Sequence, residues 1–452
     1  MNSKMKSILL TIGILASFPF AQQSGKWEAT NFNYAANVSR INDIFFLTPT
    51  LGWAVNGIGQ IHKTSDGGNT WTKQLDKTNL THFRSVGFFD SLTGFAGALG
   101  WGDSIGHPND SKDSVILYKT TDGGLNWLPE PQLTSSVIRR GFCGMQVFND
   151  STLYAVGRVR GPAWFYKSTD RGRTWNAKNM NGYAAGLVDV HFFTEDSGFA
   201  VGLTNVTHQQ SQAIILKTAD GGDTWDTSYV ATRTNEWAWK VVFPSRKTGY
   251  VSLQRDGGLS PVYVLKTTDG GATWTPKQFS ATGYFMQGIG FLNDTLGWAG
   301  GSTAQPKQTT DGGETWVPLT IGNSLNRFRK INDSLMYVSG AGVWRYSLGE
   351  SNGISKKAFD AQRKTKMNIS IPFNPQTKVR FSIPEDGYVT ISVHDLKGAL
   401  IRTLFSEYTR QKSLTLSWDG RNEADEEVPV GSYIYSLQTK NSRESKSIVL
   451  SR

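Results

Sequence analysis

The sequence predicts an all-β chain, a seven-bladed β-propeller followed by a small antiparallel β-sandwich. Three observations predict it. A short motif recurs six times at a mean spacing of 49 residues. Apolar residues alternate with a period of two, and no stretch sustains a capped helical period. Composition breaks near residue 350, where a basic, apolar-poor run separates the repeats from a shorter set of strands. Glycine (48 of 452 residues) and tryptophan (15) are abundant while charged residues are 19%, which suits a turn-rich β protein.

The motif is Ser/Thr-x-Asp-Gly-Gly-x-x-Trp. Its copies run from Thr64 to Trp71, Thr120 to Trp127, Ser168 to Trp175, Thr218 to Trp225, Thr267 to Trp274 and Thr309 to Trp316, with Arg171 in place of the first glycine of the third. Upstream of each lies a paired apolar segment, such as Val190-His191-Phe192-Phe193 with Gly198-Phe199-Ala200-Val201-Gly202. A seventh apolar pair, near Phe328 and Tyr337, has no box. Each unit reads as about four short strands, the pattern of a propeller blade. The seventh unit needs an outer strand, and Gly25-Lys26-Trp27 offers a stray Gly-x-Trp. The N-terminal strand is therefore expected to complete the last blade and close the ring, leaving no unpaired edge.

The box has a physical logic. The carboxylates of Asp66, Asp122, Asp170, Asp220, Asp269 and Asp311 can accept backbone N–H groups within a hairpin turn, and glycine supplies positive φ. Trp71, Trp127, Trp175, Trp225, Trp274 and Trp316 then bury their rings between neighbouring sheets. A ring of equivalent copies points to structure, because catalysis needs one converging set of groups. Asn149-Asp150-Ser151, Asn293-Asp294-Thr295 and Asn332-Asp333-Ser334 recur at one blade position and read as turns.

These boxes resemble the Asp-box (BNR) repeat. The whole unit, Phe-x-Phe, Gly-Trp-Ala-Val-Gly, then Lys-Thr-Thr-Asp-Gly-Gly-x-x-Trp, is similar to the photosystem II stability/assembly factor-like family over residues 27–347. The resemblance implies a propeller. That family uses arginines clustered on one face to bind partners, a part that Arg84, Arg140, Arg327 and Arg329 could take here.

Both chain ends suggest export. Met1–Lys6 is basic, Ser7–Phe20 is apolar but short for a bilayer, and Ala21 is a small residue suited to cleavage, so residues 1–21 read as a secretory signal peptide. No later run is long enough to span a membrane. Residues 348–366 read as a linker. Strand-like alternation follows in 367–452, as in Val389-Thr390-Ile391-Ser392-Val393 and Ser432-Tyr433-Ile434-Tyr435-Ser436-Leu437. The segments Pro372-Phe373-Asn374-Pro375, Asp395-Leu396-Lys397-Gly398, Trp418-Asp419-Gly420-Arg421 and Val428-Pro429-Val430-Gly431-Ser432-Tyr433 resemble two overlapping families. These are the flagellar hook-capping-type Ig-like domain and the C-terminal sorting domain of type IX secretion. The resemblance implies a secretion-machinery partner and delivery through the periplasm to the surface or medium of a Gram-negative bacterium.

Catalytic signals are weak. Gly102-Asp103-Ser104-Ile105-Gly106 matches a nucleophile-elbow string but no helix follows it. The six histidines show no metal-ligand spacing, no cofactor fingerprint is present, and the single Cys143 excludes an intrachain disulfide. The net charge of +10 gathers partly in Lys356, Lys357, Arg363, Lys364 and Lys366, so the repeats offer no evident nucleic-acid face. The expectation is a non-catalytic binding or scaffold propeller with a protein or polysaccharide ligand. Its alternative is a secreted glycoside hydrolase of sialidase or xyloglucanase type, which needs two carboxylates converging at the channel mouth. If the Phe-rich strands are innermost, the mouth is lined by Asp43, Arg84, Arg140 with Cys143, Asp189, Glu236, Trp237, Trp239, Lys240, Tyr284 with Gln287, Arg327 and Arg329.

Overall fold

The computed structural model describes residues 25–32, 40–100, 112–133, 141–255, 259–301, 305–348, 366–368, 378–383, 387–395, 398–409, 413–439 and 443–450. The expected signal peptide, Arg140, the Gly102–Gly106 string and nearly all of the expected linker lie outside those residues. The chain divides into two compact units, residues 1–349 and 350–452. Among the described residues no helix is long and apolar enough to cross a membrane.

The first unit holds seven four-stranded antiparallel sheets. Sheet 1 starts with Ile41–Phe46 and sheets 2 to 6 start with Phe83–Phe88, Gly144–Val147, Gly186–Phe192, Glu236–Val242 and Met286–Phe291. Each runs in chain order from its first strand to its fourth. Sheet 7 begins with Phe328–Asn332 and ends on the N-terminal strand Gly25–Ala29. That strand pairs antiparallel with Val343–Leu348, placing Trp27 opposite Tyr346.

Alternation explains how the sheets stack. A strand buried on both faces gives each sheet two apolar surfaces, and a separate apolar cluster fills every gap between successive sheets. One cluster holds Phe199 and Val201 of sheet 4 with Val241 and Val251 of sheet 5. Another joins sheet 7 to sheet 1 through Tyr337, Val343, Ile41 and Ile44. Aromatic stacking repeats across the gaps. Phe88 lies on Trp53 (3.5 Å between centroids), Phe192 on Tyr154 (3.6 Å) and Phe291 on Tyr250 (3.7 Å). Phe46 on Tyr337 (3.7 Å) makes the same stack between sheets 1 and 7.

The boxes fold alike. In the fourth, the Thr218 hydroxyl donates to Asp220 Oδ1 (2.8 Å) and accepts from Gly222 N (2.9 Å), while Asp220 Oδ1 accepts from Thr224 N (2.8 Å). Gly221 and Gly222 have φ of 73° and 94°, and a Cβ on Gly222 would lie 2.2 Å from the Phe165 ring. Arg171 adopts φ 64° where the other copies have glycine. Each box tryptophan spans a gap: Trp225 touches Phe165 of sheet 3 (5.2 Å) and Phe192 of sheet 4 (6.3 Å). Trp27 does the same with Trp298 of sheet 6 (5.2 Å) and Phe328 of sheet 7 (6.2 Å). The stray Gly-x-Trp thus stands in for the missing seventh box.

In the second unit a three-stranded sheet joins Lys366–Asn368, Lys378–Ser382 and Ser413–Ser417. A four-stranded sheet orders Leu400–Thr409, Gly387–His394, Gly431–Thr439 and Arg443–Leu450. Both antiparallel sheets feed one core, with Val379 and Phe381 from the first and Ile391, Val393, Tyr435 and Leu437 from the second.

Candidate functional site

The site is built by a recurring irregularity. Among the described residues, six of the seven first strands carry a register shift, and in sheets 1, 2, 4, 5 and 6 it falls one to three residues from the strand start. It leaves Asn42, Arg84, Val188, Trp239 and Gln287 without a partner across the hairpin. At such a bulge two residues oppose one, and the bulged side chain is re-aimed. Four of these five, Asn42, Arg84, Trp239 and Gln287, line one cavity of about 510 Å³. All seven sheets or the segments leading into them reach that cavity. Arg40 and Asn42 come from sheet 1, His82 and Arg84 from sheet 2, and Arg158 and Arg160 from the end of the second strand of sheet 3. His208 follows the second strand of sheet 4. Trp237, Trp239 and Gln254 belong to sheet 5, Gln287 to sheet 6, and Ser324 precedes sheet 7.

Beside the cavity lies a buried ion network. The Arg327 guanidinium grips Asp189 in a two-pronged contact (Nη1 to Oδ2 2.9 Å, Nη2 to Oδ1 2.7 Å) and donates through Nε to Asp43 (3.1 Å). Backbone N–H groups of Ile44 and Val86 also donate to Asp43 (2.9 and 3.1 Å), and Val241 N donates to Asp189 (3.2 Å). One arginine therefore ties sheets 1 and 4 to sheet 7. Burial alone would raise the Asp189 carboxyl, but Arg327 and Lys240 outweigh it and hold it below the ordinary aspartate value. Burial pushes the Lys240 ammonium down to about 7, with Arg327 adding to the fall. Arg329 donates to Ile44 O (2.9 Å) and reaches Asp43 at 3.4 Å.

Cations exceed carboxylates here. Asp43 and Asp189 face Arg84, Lys240, Arg327 and Arg329, and the charged residues of the cavity wall are Arg40, Arg84, Arg158 and Arg160. Arg84 is 6% exposed and lies over the Trp239 ring (5.1 Å). Among the described residues its Nε and Nη2, like Trp237 Nε1 and Gln287 Oε1, are buried and have no hydrogen-bond partner. Burial lowers both Arg84 and Arg40, the latter to about 9, where the neighbouring Arg84 charge adds to the fall. Trp239 Nε1 donates to Asn326 (2.8 Å), whose amide donates to Asn42 O, and Asn42 donates in turn to Phe83 O (2.7 Å). That chain fixes the rim across four sheets.

The residues nominated from sequence divide into three groups. Arg84, Trp237, Trp239 and Gln287 meet in the cavity. Asp43, Asp189, Lys240, Arg327 and Arg329 form the network beside it. Glu236 and Tyr284 stand apart. Glu236 is paired with Arg233 beside Arg255, its carboxyl raised by burial, and Tyr284 packs on Phe279 (4.9 Å) with its hydroxyl bonded to Gln305 O (3.2 Å). Sequence reasoning missed Arg40, Arg158, Arg160 and Gln254. The signal was available: in an antiparallel hairpin the end of the second strand lies beside the start of the first, as Glu236 opposes Arg255. Among the described residues no cluster of three His, Cys, Asp or Glu could hold a metal.

No family model matches the chain. It is 30% identical over 175 residues to the photosystem II assembly lipoprotein Ycf48 of Synechococcus sp. (strain CC9902), across 36% of this chain and 43% of that protein. The chain thus spans less than half the length of this curated relative. The solved structure of YCF48 bound to a D1 peptide superposes with a TM-score of 0.51 at 16% identity, covering 72% of this chain and 95% of that one.

The fold is a β-propeller.

PorZ, a surface component of the type-IX secretion system of Porphyromonas gingivalis, superposes with a TM-score of 0.50 at 12% identity, over 94% of this chain and 61% of PorZ. At these identities the likeness speaks for the propeller architecture alone.

Proposed function

We propose that this is a non-catalytic binding propeller of seven blades that captures a protein partner at the mouth of its channel. It is exported by residues 1–21 and delivered by a C-terminal Ig-like sandwich that serves as a sorting domain. One observation carries the binding reading: every sheet contributes to a single cavity whose charged lining is basic, while the nearby carboxylates Asp43 and Asp189 are held by Arg327. A glycosidase needs two carboxylates free to donate and accept protons about 5 to 9.5 Å apart. Here both carboxylates are engaged by a guanidinium and backbone N–H groups, which leaves neither oxygen pair free to serve as acid or base. The sequence similarity to Ycf48, and a solved YCF48 complex with a D1 peptide, support a peptide-binding role, as does the aromatic and arginine content of the rim.

The test is selection. Panning a random dodecapeptide phage library on the immobilised full chain should enrich clones that bind wild type and lose binding to Trp239→Ser. Clones indifferent to that change would overturn the mouth as the site. Release of reducing sugar from xyloglucan, or of sialic acid from sialyl-lactose, abolished by Asp189→Asn, would overturn the non-catalytic reading.

A further inference from the structure

The four-stranded sheet of the second unit holds four tyrosines. Tyr433 and Tyr435 belong to the core, at 7% and 0% exposure. Tyr388 and Tyr408 sit on the opposite face, each 61% exposed. They stand directly across from one another in the strands Gly387–His394 and Leu400–Thr409. Large rings left open side by side on one sheet mark a contact surface. The Tyr388 hydroxyl donates to Ser406 O (3.3 Å), two residues along the neighbouring strand from Tyr408. That bond draws the ring down across the strand and turns a face of it outward.

The next row continues with hydroxyl and amide groups. Thr390 lies opposite both Ser406 and Gln438, and the Thr390 and Ser406 hydroxyls are 3.3 Å apart. The charged residues of the Leu400–Thr409 strand, Arg402 and Glu407, oppose Val393 and Val389, which belong to the core. Opposed residues share a face, so both charges lie on the other side. Among the described side chains of the strands Leu400–Thr409, Gly387–His394 and Gly431–Thr439, the tyrosine face carries no carboxylate, ammonium or guanidinium.

We propose that this face binds a neutral polysaccharide, with Tyr388 and Tyr408 as stacking platforms for consecutive sugars and Thr390, Ser406 and Gln438 holding their hydroxyls. A pyranose has an apolar C–H face and a rim of hydroxyls, each both donor and acceptor. Tyrosine rings offer apolar area with little conformational entropy to lose, and Thr, Ser and Gln side chains likewise both donate and accept. Directly opposed Cβ atoms lie about 4.5–5.5 Å apart, close to the length of one sugar in an extended chain. Anionic polymers and nucleic acid need cations, and this face offers none. A second copy fits poorly. Sheets packed face to face interdigitate apolar side chains, whereas Thr390, Ser406 and Gln438 would be buried at a cost. The site lies in the second unit and stands apart from the peptide-binding reading of the propeller cavity.

Affinity electrophoresis of the full chain in gels holding xyloglucan, hydroxyethyl cellulose, glucomannan or arabinoxylan tests it. A net charge of +10 attracts anionic polymers whatever the fold, so only neutral ones are informative. At least one should retard wild type, equally at low and high salt. Tyr388→Ala and Tyr408→Ala should each weaken binding about tenfold. Tyr408→Phe should retain it, and Trp239→Ser in the propeller should leave it unchanged. Both tyrosines are exposed, so the alanine variants should melt with wild type, which separates lost binding from lost folding. Retardation by none of the neutral polymers, or retardation that survives the combined Tyr388→Ala and Tyr408→Ala changes, overturns the proposal. A dimer seen in sedimentation and dissociated by those two changes would seat a second copy on the face and overturn it as well.

Discussion

At the scale of the residue, the box tryptophans bear the stacking of the sheets. Trp225 is 4% exposed and wedges between Phe165 and Phe192, so Trp225→Ala should cost about 3–5 kcal/mol, read by denaturant unfolding. The box carboxylates set the acid limit. Hydrogen bonds from Thr70, Thr224 and Thr315 hold Asp66, Asp220 and Asp311 down to about 2. An unfolded aspartate titrates near ~3.9. The folded value is the lower, so the stabilisation is complete above about pH 4 and drains away as pH falls through about 2. Melting temperature should therefore drop through that window, and Asp220→Asn should shrink the drop while lowering stability at neutral pH. Arg327 is the other sensitive point. Arg327→Met leaves Asp43 and Asp189 buried without their cation and should cost about 3–5 kcal/mol, partly restored when both aspartates are replaced by asparagine.

At the scale of the element, the blade pattern was legible because it is written repeatedly. The alternation, the Gly-Gly turn and the wedge tryptophan agree at each copy, and the agreement does not depend on any one of them. The closing strand was legible from a single Gly-x-Trp, because an unfinished seventh unit left one vacancy for it. The site was half legible. Strand starts pointed to Arg84, Trp237 and Trp239, but a simple period of two cannot foresee the bulges that turn Asn42, Arg84, Trp239 and Gln287 toward one cavity. Glu236 lies before the bulge at Trp239, opposite Arg255, and pairs with Arg233 away from the cavity wall. Arg158 and Arg160 escaped because they follow the second strand of sheet 3, where hairpin length rather than hydrophobic pattern sets position. The closing strand makes its own prediction. Trp27→Ala should cost about 3 kcal/mol or more, and deleting residues 25–29 should destabilise sheet 7 first, seen as faster amide exchange in Val343–Leu348.

At the scale of the whole molecule, the two units have separate cores. A chain ending at residue 349 should keep the melting transition of the propeller, and loss of that transition would mean that the units share stability. In the native host the shortened chain should accumulate in the periplasm, and unchanged release to the surface or medium would remove the sorting role from residues 367–452. The central claim is that the partner enters the mouth where the seven sheets meet. Its most direct test is the indole N–H spectrum of the full chain titrated with a library-selected peptide. The chain has 15 tryptophans, and each indole reports one place. Trp237, 1% exposed and part of the cavity wall, should shift strongly, Trp239 should follow, and the six box tryptophans should stay in place. Shifts confined to the box tryptophans, or none at Trp237 and Trp239 at saturation, would contradict the account.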